Sequence, residues 1–436
     1  MPTYQSWGRY PRAAHARAIP IRWRTDPLPL DDAEASVLPF AMGRSYGDSC
    51  LNDGGVLLDV TGLDRLISFD QERGVLRCEA GVTLAEILAL VVPRGWFLPV
   101  VPGTRWVSVG GAIANDIHGK NHHRAGTFGC HVSRLELLRS TGERLTCSLG
   151  KNSSLFRATI GGLGLTGVIL WAEIQLKRVT GSSISMERIR CSGLDQFLDL
   201  TAEDQAYEYS VAWVDCIASG RRLGRGVFMR GDHAGATLKG PRPLRRARIF
   251  VPFDAPDRLI NRTTIQCFNA LYYRRLLRRR THLSLPYDTF FFPLDGIRDW
   301  GRLYGRRGFL QYQCVVPDQP SGAAVRSLLA RISDSAEAPS LAVLKKFGDL
   351  PSPGLLSFPR PGITLAVDFP FRGRPTLELL EDLDGIVRTT GGAVYPAKDA
   401  RMSPDSFRAF FPGCAAFAEH VDPRFSSSFW RRVYPA

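Results

Sequence analysis

The chain has 436 residues, 44% hydrophobic and 22% charged, which is the make-up of a globular protein too long for one ordinary core, so two domains are expected. No apolar run approaches the ~20 residues of a membrane span, and residues 1–20 lack the apolar core of a signal peptide, so a cytoplasmic protein is expected. The nine cysteines are scattered and none forms a C-x-x-C pair, which predicts reduced thiols and no zinc site.

The net charge of +14 is unevenly spread. Two basic clusters stand out, 239–248 (KGPRPLRRAR) and 274–280 (RRLLRRR). Each has two readings, an anionic partner (a phosphorylated substrate, a lipid surface or nucleic acid) or a solvated face.

In chain order, residues 1–35 read as an irregular, Pro- and Arg-rich lead-in. The apolar run 37–41 ends in the glycine turn 43–48, a place where free N–H groups can hold a pyrophosphate. Short strands are predicted at 56–60, 66–69 and 75–78, then a helix over 83–92, capped by Thr83 and ended by Pro93 and Gly95.

The stretch 102–129 (PGTRWVSVGGAIANDIHGKNHHRAGTFG) holds six glycines and three histidines with almost no helical or strand periodicity. Glycine that dense serves positive φ and close backbone approach, and the interleaved polar groups Thr104, Ser108, Asn115, Asp116, His118, Lys120 and Asn121 suit a large polar ligand. His118 and His122 are four apart with His123 following, but Gly119 and Gly126 argue against the helix that would make them metal ligands, so no metal is expected.

A hairpin is predicted at 135–147, a helix at 154–160, and a strand at 168–176. Between the last two lies a literal G-x-G-x-x-G, 162–167. A dinucleotide fingerprint needs a strand before it and a helix after it, the reverse of this order, so that reading is rejected and positive-φ turn chemistry near a ligand is left. Beyond about 181 strand-like runs (207–214, 309–316, 363–369) alternate with helical ones (323–335, 375–390), which places a domain boundary there.

GRSYGD at 43–48, PGT at 102–104, the run 107–129 and GGLGLTG at 161–167 together resemble the flavin-dependent oxidases of the vanillyl-alcohol oxidase type. The likeness continues through YSVAWVD (209–215), GFLQYQ (308–313), LKKFG (344–348), VDFP (367–370), YPAKD (395–399) and VDP (421–423), nearly the whole chain in order. It implies an α+β fold: a two-subdomain FAD-binding domain, 1–181 completed by 393–436, and an inserted substrate domain, 182–392, built on an antiparallel sheet.

By this resemblance Gly43, Arg44, Ser45, Tyr46, Gly47, Asp48 and Ser49, with Ser108, Val109, Gly110 and Gly111, bind the FAD pyrophosphate. Gly103, Asn115, Ile117, His118, Ile169 and Tyr395 line the rest of the cofactor. Lys398, Lys345 and His118 take the catalytic positions, and Lys120, Gln311 and Gln313 substrate positions. Three pocket positions depart from the family pattern: Ala366 stands for a cysteine, Thr364 for an asparagine and Phe291 for a tyrosine. Tyr46 stands where covalent relatives carry a histidine, so dissociable FAD is expected.

The activity implied is hydride transfer from a secondary sugar hydroxyl to flavin N5, on a polyprenyl-phosphate-linked or otherwise phosphorylated pentose at its 2′ position, with a partner reductase or epimerase. The alternatives are a soluble sugar, alditol or natural-product alcohol oxidase and, in another class, a nucleic-acid-binding protein. The last lacks any binding motif or stacking platform, so no nucleic acid is expected. Phe268, Leu271, Tyr272, Leu276 and Leu277 fall near helical spacing beside Arg274, Arg275 and Arg278–Arg280, which predicts an amphipathic helix. It either seats on anionic lipid as a peripheral membrane contact or packs its apolar side into the core.

Overall fold

The computed structural model describes residues 4–30, 35–203, 206–235 and 249–435, so the basic cluster 239–248 lies outside the described residues. The fold is α+β, and three sheets position its site.

Arg17–Pro20 and Val37–Phe40 flank Val56–Asp59 in a small parallel sheet. The lead-in expected to be irregular therefore contains a strand. Its four residues show no alternation of burial, and it exists only because Val56–Asp59 offers an edge, which no local pattern encodes. The second sheet is antiparallel and runs Leu66–Asp70, Val75–Glu79, Val168–Gln175, Val132–Leu138, Arg144–Cys147. Against it packs the helix Leu84–Val91, whose Thr83 and Glu86 form a complete capping box. Leu84, Ile87, Leu88 and Val91 are all buried on its inner face.

The third sheet has eight strands, all antiparallel, in the spatial order Arg280–Pro286, Ser183–Cys191, Gly226–Ala234, Tyr209–Val214, Ala342–Phe347, Gly362–Pro370, Phe309–Val316, Ala393–Val394. Ala323–Asp334 and Arg374–Thr389 cover one face, burying Leu328, Leu329, Leu379 and Leu383 against Cys314, Val315 and Leu365. The other face is left to floor a cavity.

Two local expectations are corrected. The stretch 102–129 is not free of helix: Val109–Ala114 is helical, its N-terminus capped by the Ser108 hydroxyl, and His122–Ala125 makes a single turn. Two glycines in the first turn conceal the helix from its sequence. Gly110 is there because a Cβ would sit 3.1 Å from the Ala80 Cβ, so the helix lies almost on the neighbouring backbone. The amphipathic helix is Arg262–Arg274, which starts earlier than predicted and stops before most of the arginines; Arg280 already belongs to a strand. Asn261 caps it, and Tyr272 packs edge-on against Trp213 while Leu276 is buried, so part of its apolar face belongs to the core. Phe268, Leu271 and Leu277 are exposed.

Around 162–167 a helix, Ser153–Thr159, precedes and the strand Val168–Gln175 follows. The turn between them runs through positive φ at Leu163, Gly164 and Gly167. No helix among the described residues is long and apolar enough to cross a membrane.

Candidate active site

The open face of the eight-stranded sheet, together with loops of the two smaller sheets, encloses a cavity of about 1570 Å³. That exceeds the ~300–1,000 Å³ of a single small-molecule pocket, leaving room for two ligands. Strand register fixes its floor. Trp213, Val343, Ala366 and Gln313 are successive partners across four strands, and Arg188, Met229 and Val211 form a parallel row towards the sheet's far edge. At ~4.8 Å per strand the floor from Gln313 to Arg188 is roughly 24 Å long.

One end is walled by glycine-rich backbone. Gly43, Arg44, Ser45, Tyr46 and Ser49 line it from the first glycine turn, and Gly103, Ser108, Gly110, Gly111, Asn115 and Ile117 from the second stretch; Ile169 and Tyr395 close it. Arg44 donates from Nε to the Trp106 carbonyl at 3.2 Å, with its guanidinium 4.3 Å from the Trp7 ring. The Tyr395 hydroxyl donates to the Asn115 carbonyl at 2.7 Å, joining the two halves of the wall. Gly47, Asp48, Val109 and Thr364 do not line the cavity. A Cβ on Gly47 would lie 1.7 Å from the Asp399 carbonyl oxygen, so this glycine serves backbone packing. Asp48 accepts from Arg432 Nε and Nη2 at 3.0 and 2.6 Å, and Arg432 Nη2 also reaches Asp399 at 3.0 Å. Val109 is buried within its helix, and Thr364 sits beneath Gln313.

The same end gathers cations. Lys120, Lys345 and Lys398 line it with His118, Gln311 and Gln313. Burial pushes Lys120 down to about 8, its Nζ donating only to the Phe291 carbonyl at 3.1 Å, where Phe291 also lines the cavity. Burial, then Lys120 and Lys398, push Lys345 down to about 7. Among the described residues neither Lys120 nor Lys345 has an ion pair. The Lys398 Nζ stands 3.7 Å over the Tyr46 ring, and burial pushes it down to about 7 against the opposing pull of Asp368.

Gln313 donates from Nε2 both to Thr364 Oγ1 at 3.2 Å and to His118 Nε2 at 2.8 Å. His118 accepts there, so its proton sits on Nδ1, and burial followed by Lys345 holds the ring well below the usual histidine range, hence neutral. Nδ1 is buried without a hydrogen-bond partner among the described residues, as is Ser49 Oγ in the glycine turn. Such groups are rarely left unpaired in a folded chain; both residues line the cavity, although these two atoms are themselves closed off from it. The other histidines turn elsewhere, His122 accepting from the Gly348 N–H and His123 bonding the Tyr207 carbonyl.

Comparison with known proteins agrees with this geometry. A family model for an FAD binding domain matches residues 30–148. The chain is 37% identical to decaprenylphosphoryl-beta-D-ribose oxidase of Mycolicibacterium smegmatis over 88% of this chain and 84% of that protein. The chain belongs to that oxidase's family. An uncharacterised protein in the mprA 5′ region of Streptomyces coelicolor is 36% identical over 81% of this chain and all of its own length. Human Delta(24)-sterol reductase is 31% identical over 26% of this chain and 22% of its own. The protein is thus an FAD-dependent oxidoreductase, and the glycine-walled end, where backbone can approach a ligand closely, fits FAD. Reading the sequence missed three features of the site. One is Asp368, the lone charged residue of the strand Gly362–Pro370 and so a readable signal. Another is Arg432, which nothing local marks. The third is the far end of the floor, formed by strands whose charged alternate residues, as in SISMERIRC, hide them.

Proposed function

We propose that the protein oxidises a secondary hydroxyl of a phosphorylated pentose, carried on a polyprenyl phosphate, to a ketone at the 2′ position. The observation that carries this is the pair Lys120 and Lys345: two half-buried lysines in a cavity wall, with no carboxylate partner among the described residues, await an anion. The farther floor, where Met186, Val211, Trp213 and Met229 surround Arg188, is largely apolar and suits the start of a hydrocarbon chain. The named substrate of the Mycolicibacterium relative has both parts.

Bound FAD supplies the hydride acceptor. The turn 43–49, Ser108, Gly110, Gly111, Asn115, Ile117, Ile169 and Tyr395 hold it, without a covalent link because Tyr46 offers no imidazole. Lys120 and Lys345 bind the phosphate, Gln311 and Gln313 orient the sugar, and His118, through its Nε2, holds the Gln313 amide in place. Lys398 provides positive charge where negative charge develops, and the hydroxyl proton leaves to water. A partner reductase acting on the ketone would complete an epimerisation. The exposed Phe250, Phe253, Leu271 and Leu277, with Arg274, Arg278 and Arg279 nearby, form a seat on anionic lipid from which such a substrate is drawn.

Anaerobic bleaching of the yellow holoenzyme tests the reading. Short-chain polyprenyl-phosphate pentoses should bleach it, whereas free pentoses and alditols should not; the reverse order would replace the proposal with a soluble polyol oxidase. Acid precipitation should release all colour into the supernatant, and colour left in the pellet would refute dissociable FAD.

A further inference from the structure

Strand pairing sets Gln311 opposite Asp368 and Gln313 opposite Ala366. All four side chains therefore rise from the face that floors the cavity. Ala366, Gln311 and Gln313 line it, but Asp368 does not. Asp368 is 0% exposed, roofed by Gln311, whose Nε2 donates to Oδ1 at 2.5 Å. On its other side the Tyr304 hydroxyl donates to Oδ2 at 3.3 Å, Tyr304 being tied in turn to Ser340 Oγ at 2.7 Å.

Two neutral hydrogen bonds are thin compensation for a carboxylate taken out of water. The cation acting on it is Lys398, which shares a small void with Gln311 and lies over the ring of Tyr46. Here the three cavity lysines divide. Among the described residues no carboxylate acts on Lys120 or Lys345, whereas Asp368 acts on Lys398. The first two are left for an anionic ligand; Lys398, without an ion pair among the described residues, lies across Gln311 from a buried carboxylate.

We propose that Asp368 is a positioning residue for the redox end: the buried counter-ion that keeps Lys398 an ammonium before any substrate anion arrives. This rests on the role given to Lys398 above. The other groups facing Lys398 oppose its charge or do not titrate near neutrality. Lys345 and His118 both lie within its field, Tyr46 is held protonated by burial and by Asp368, Arg44 acts on Tyr46, and Asp399 is engaged by Arg432.

The test is the midpoint potential of the bound flavin from pH 6 to 9 in wild type, Asp368→Asn and Lys398→Ala. In Asp368→Asn the lysine loses its proton at least one pH unit earlier, a tenfold change in proton affinity. Below that point an uncompensated ammonium makes flavin reduction easier than in wild type; above it the charge is gone and reduction becomes harder. The two curves therefore cross, which a merely structural defect would not produce. Lys398→Ala should abolish the step. Curves offset in parallel, or a step at the wild-type pH, would overturn the proposal. A step that survives in Lys398→Ala would instead remove the underlying assignment of Lys398, and the counter-ion with it. If Asp368→Asn does not hold FAD, Tyr304→Phe removes one donor to the same carboxylate from outside the cavity. It should move the step in the same direction by less, and an unmoved step there counts against the proposal.

Discussion

At the redox end of the cavity the wall is mostly backbone: two glycine-rich turns, a capped helix lying on Ala80, and carbonyl and N–H groups bridged by Tyr395. At the far end it is mostly side chain, with Met186, Arg188, Met229 and Trp213 standing on alternate positions of a sheet and Phe268 and Tyr272 above them from Arg262–Arg274. A backbone wall tolerates few sequences, because each close approach demands glycine and each turn a particular residue. A side-chain wall on a pleated face tolerates many of similar size and polarity. The first kind of site fixes a cofactor, and the second can follow a substrate.

Breaking the redox end should have the largest effect. Lys398→Ala is expected to slow flavin reduction by substrate ~10²–10³-fold, the usual cost of removing one stabiliser of developing charge, with FAD content nearly unchanged. Stopped-flow reduction beside absorbance at the flavin band checks both, and an unchanged reduction rate would reject the assignment.

The far end is tested next. Arg274, Arg278 and Arg279 are exposed, whereas Arg280 lies 3.5 Å from Glu187 and is left in place. Each arginine near an anionic surface is worth about 1 kcal/mol, so changing those three to serine should weaken co-sedimentation with phosphatidylserine vesicles about a hundredfold at low salt. Undiminished binding would reject these arginines as the lipid contact.

The smallest effect falls between the two ends, on the lysines that await the phosphate. Both are held below the usual lysine value, at about 8 for Lys120 and about 7 for Lys345, and only their charged forms bind an anion. Affinity should be greatest below pH 7 and weaken as pH rises through 7 to 8. Lys120→Met should raise KM roughly 10- to 100-fold near pH 7, from the ~1.5–3 kcal/mol of a charged hydrogen bond, and erase the upper part of that pH dependence. A KM profile that rises instead towards low pH would contradict the phosphate assignment.

The contrast between the ends also explains what could be read from the chain. The capping box at Thr83, the hairpin turning at Gly142 and the strands Phe309–Val316 and Gly362–Pro370 carry local signals, and the sequence announces each. The glycine stretch announced a wrapping backbone but concealed its helix, since Gly110 and Gly111 suppress the apolar periodicity that Ser108 capping overrides. Ser183–Cys191 and Gly226–Ala234 stayed hidden because one face meets charged partners such as the Glu187–Arg230 pair rather than a plain apolar core. Asp368 was visible as a residue but not as a counter-ion, because its lysine lies on a different element thirty positions on.

Arg432 ties the first glycine turn to the segment carrying Lys398, and its partner Asp48 lies 384 positions earlier in the chain. On a ribosome adding ~5–20 residues per second, that turn waits roughly 20–80 s for the side chain that neutralises it. Through that interval Asp48 has no arginine to hold it in a dry environment, and the cofactor wall stays unfinished. The order of synthesis thereby sets when this tie between the turn and the segment carrying Lys398 can first form.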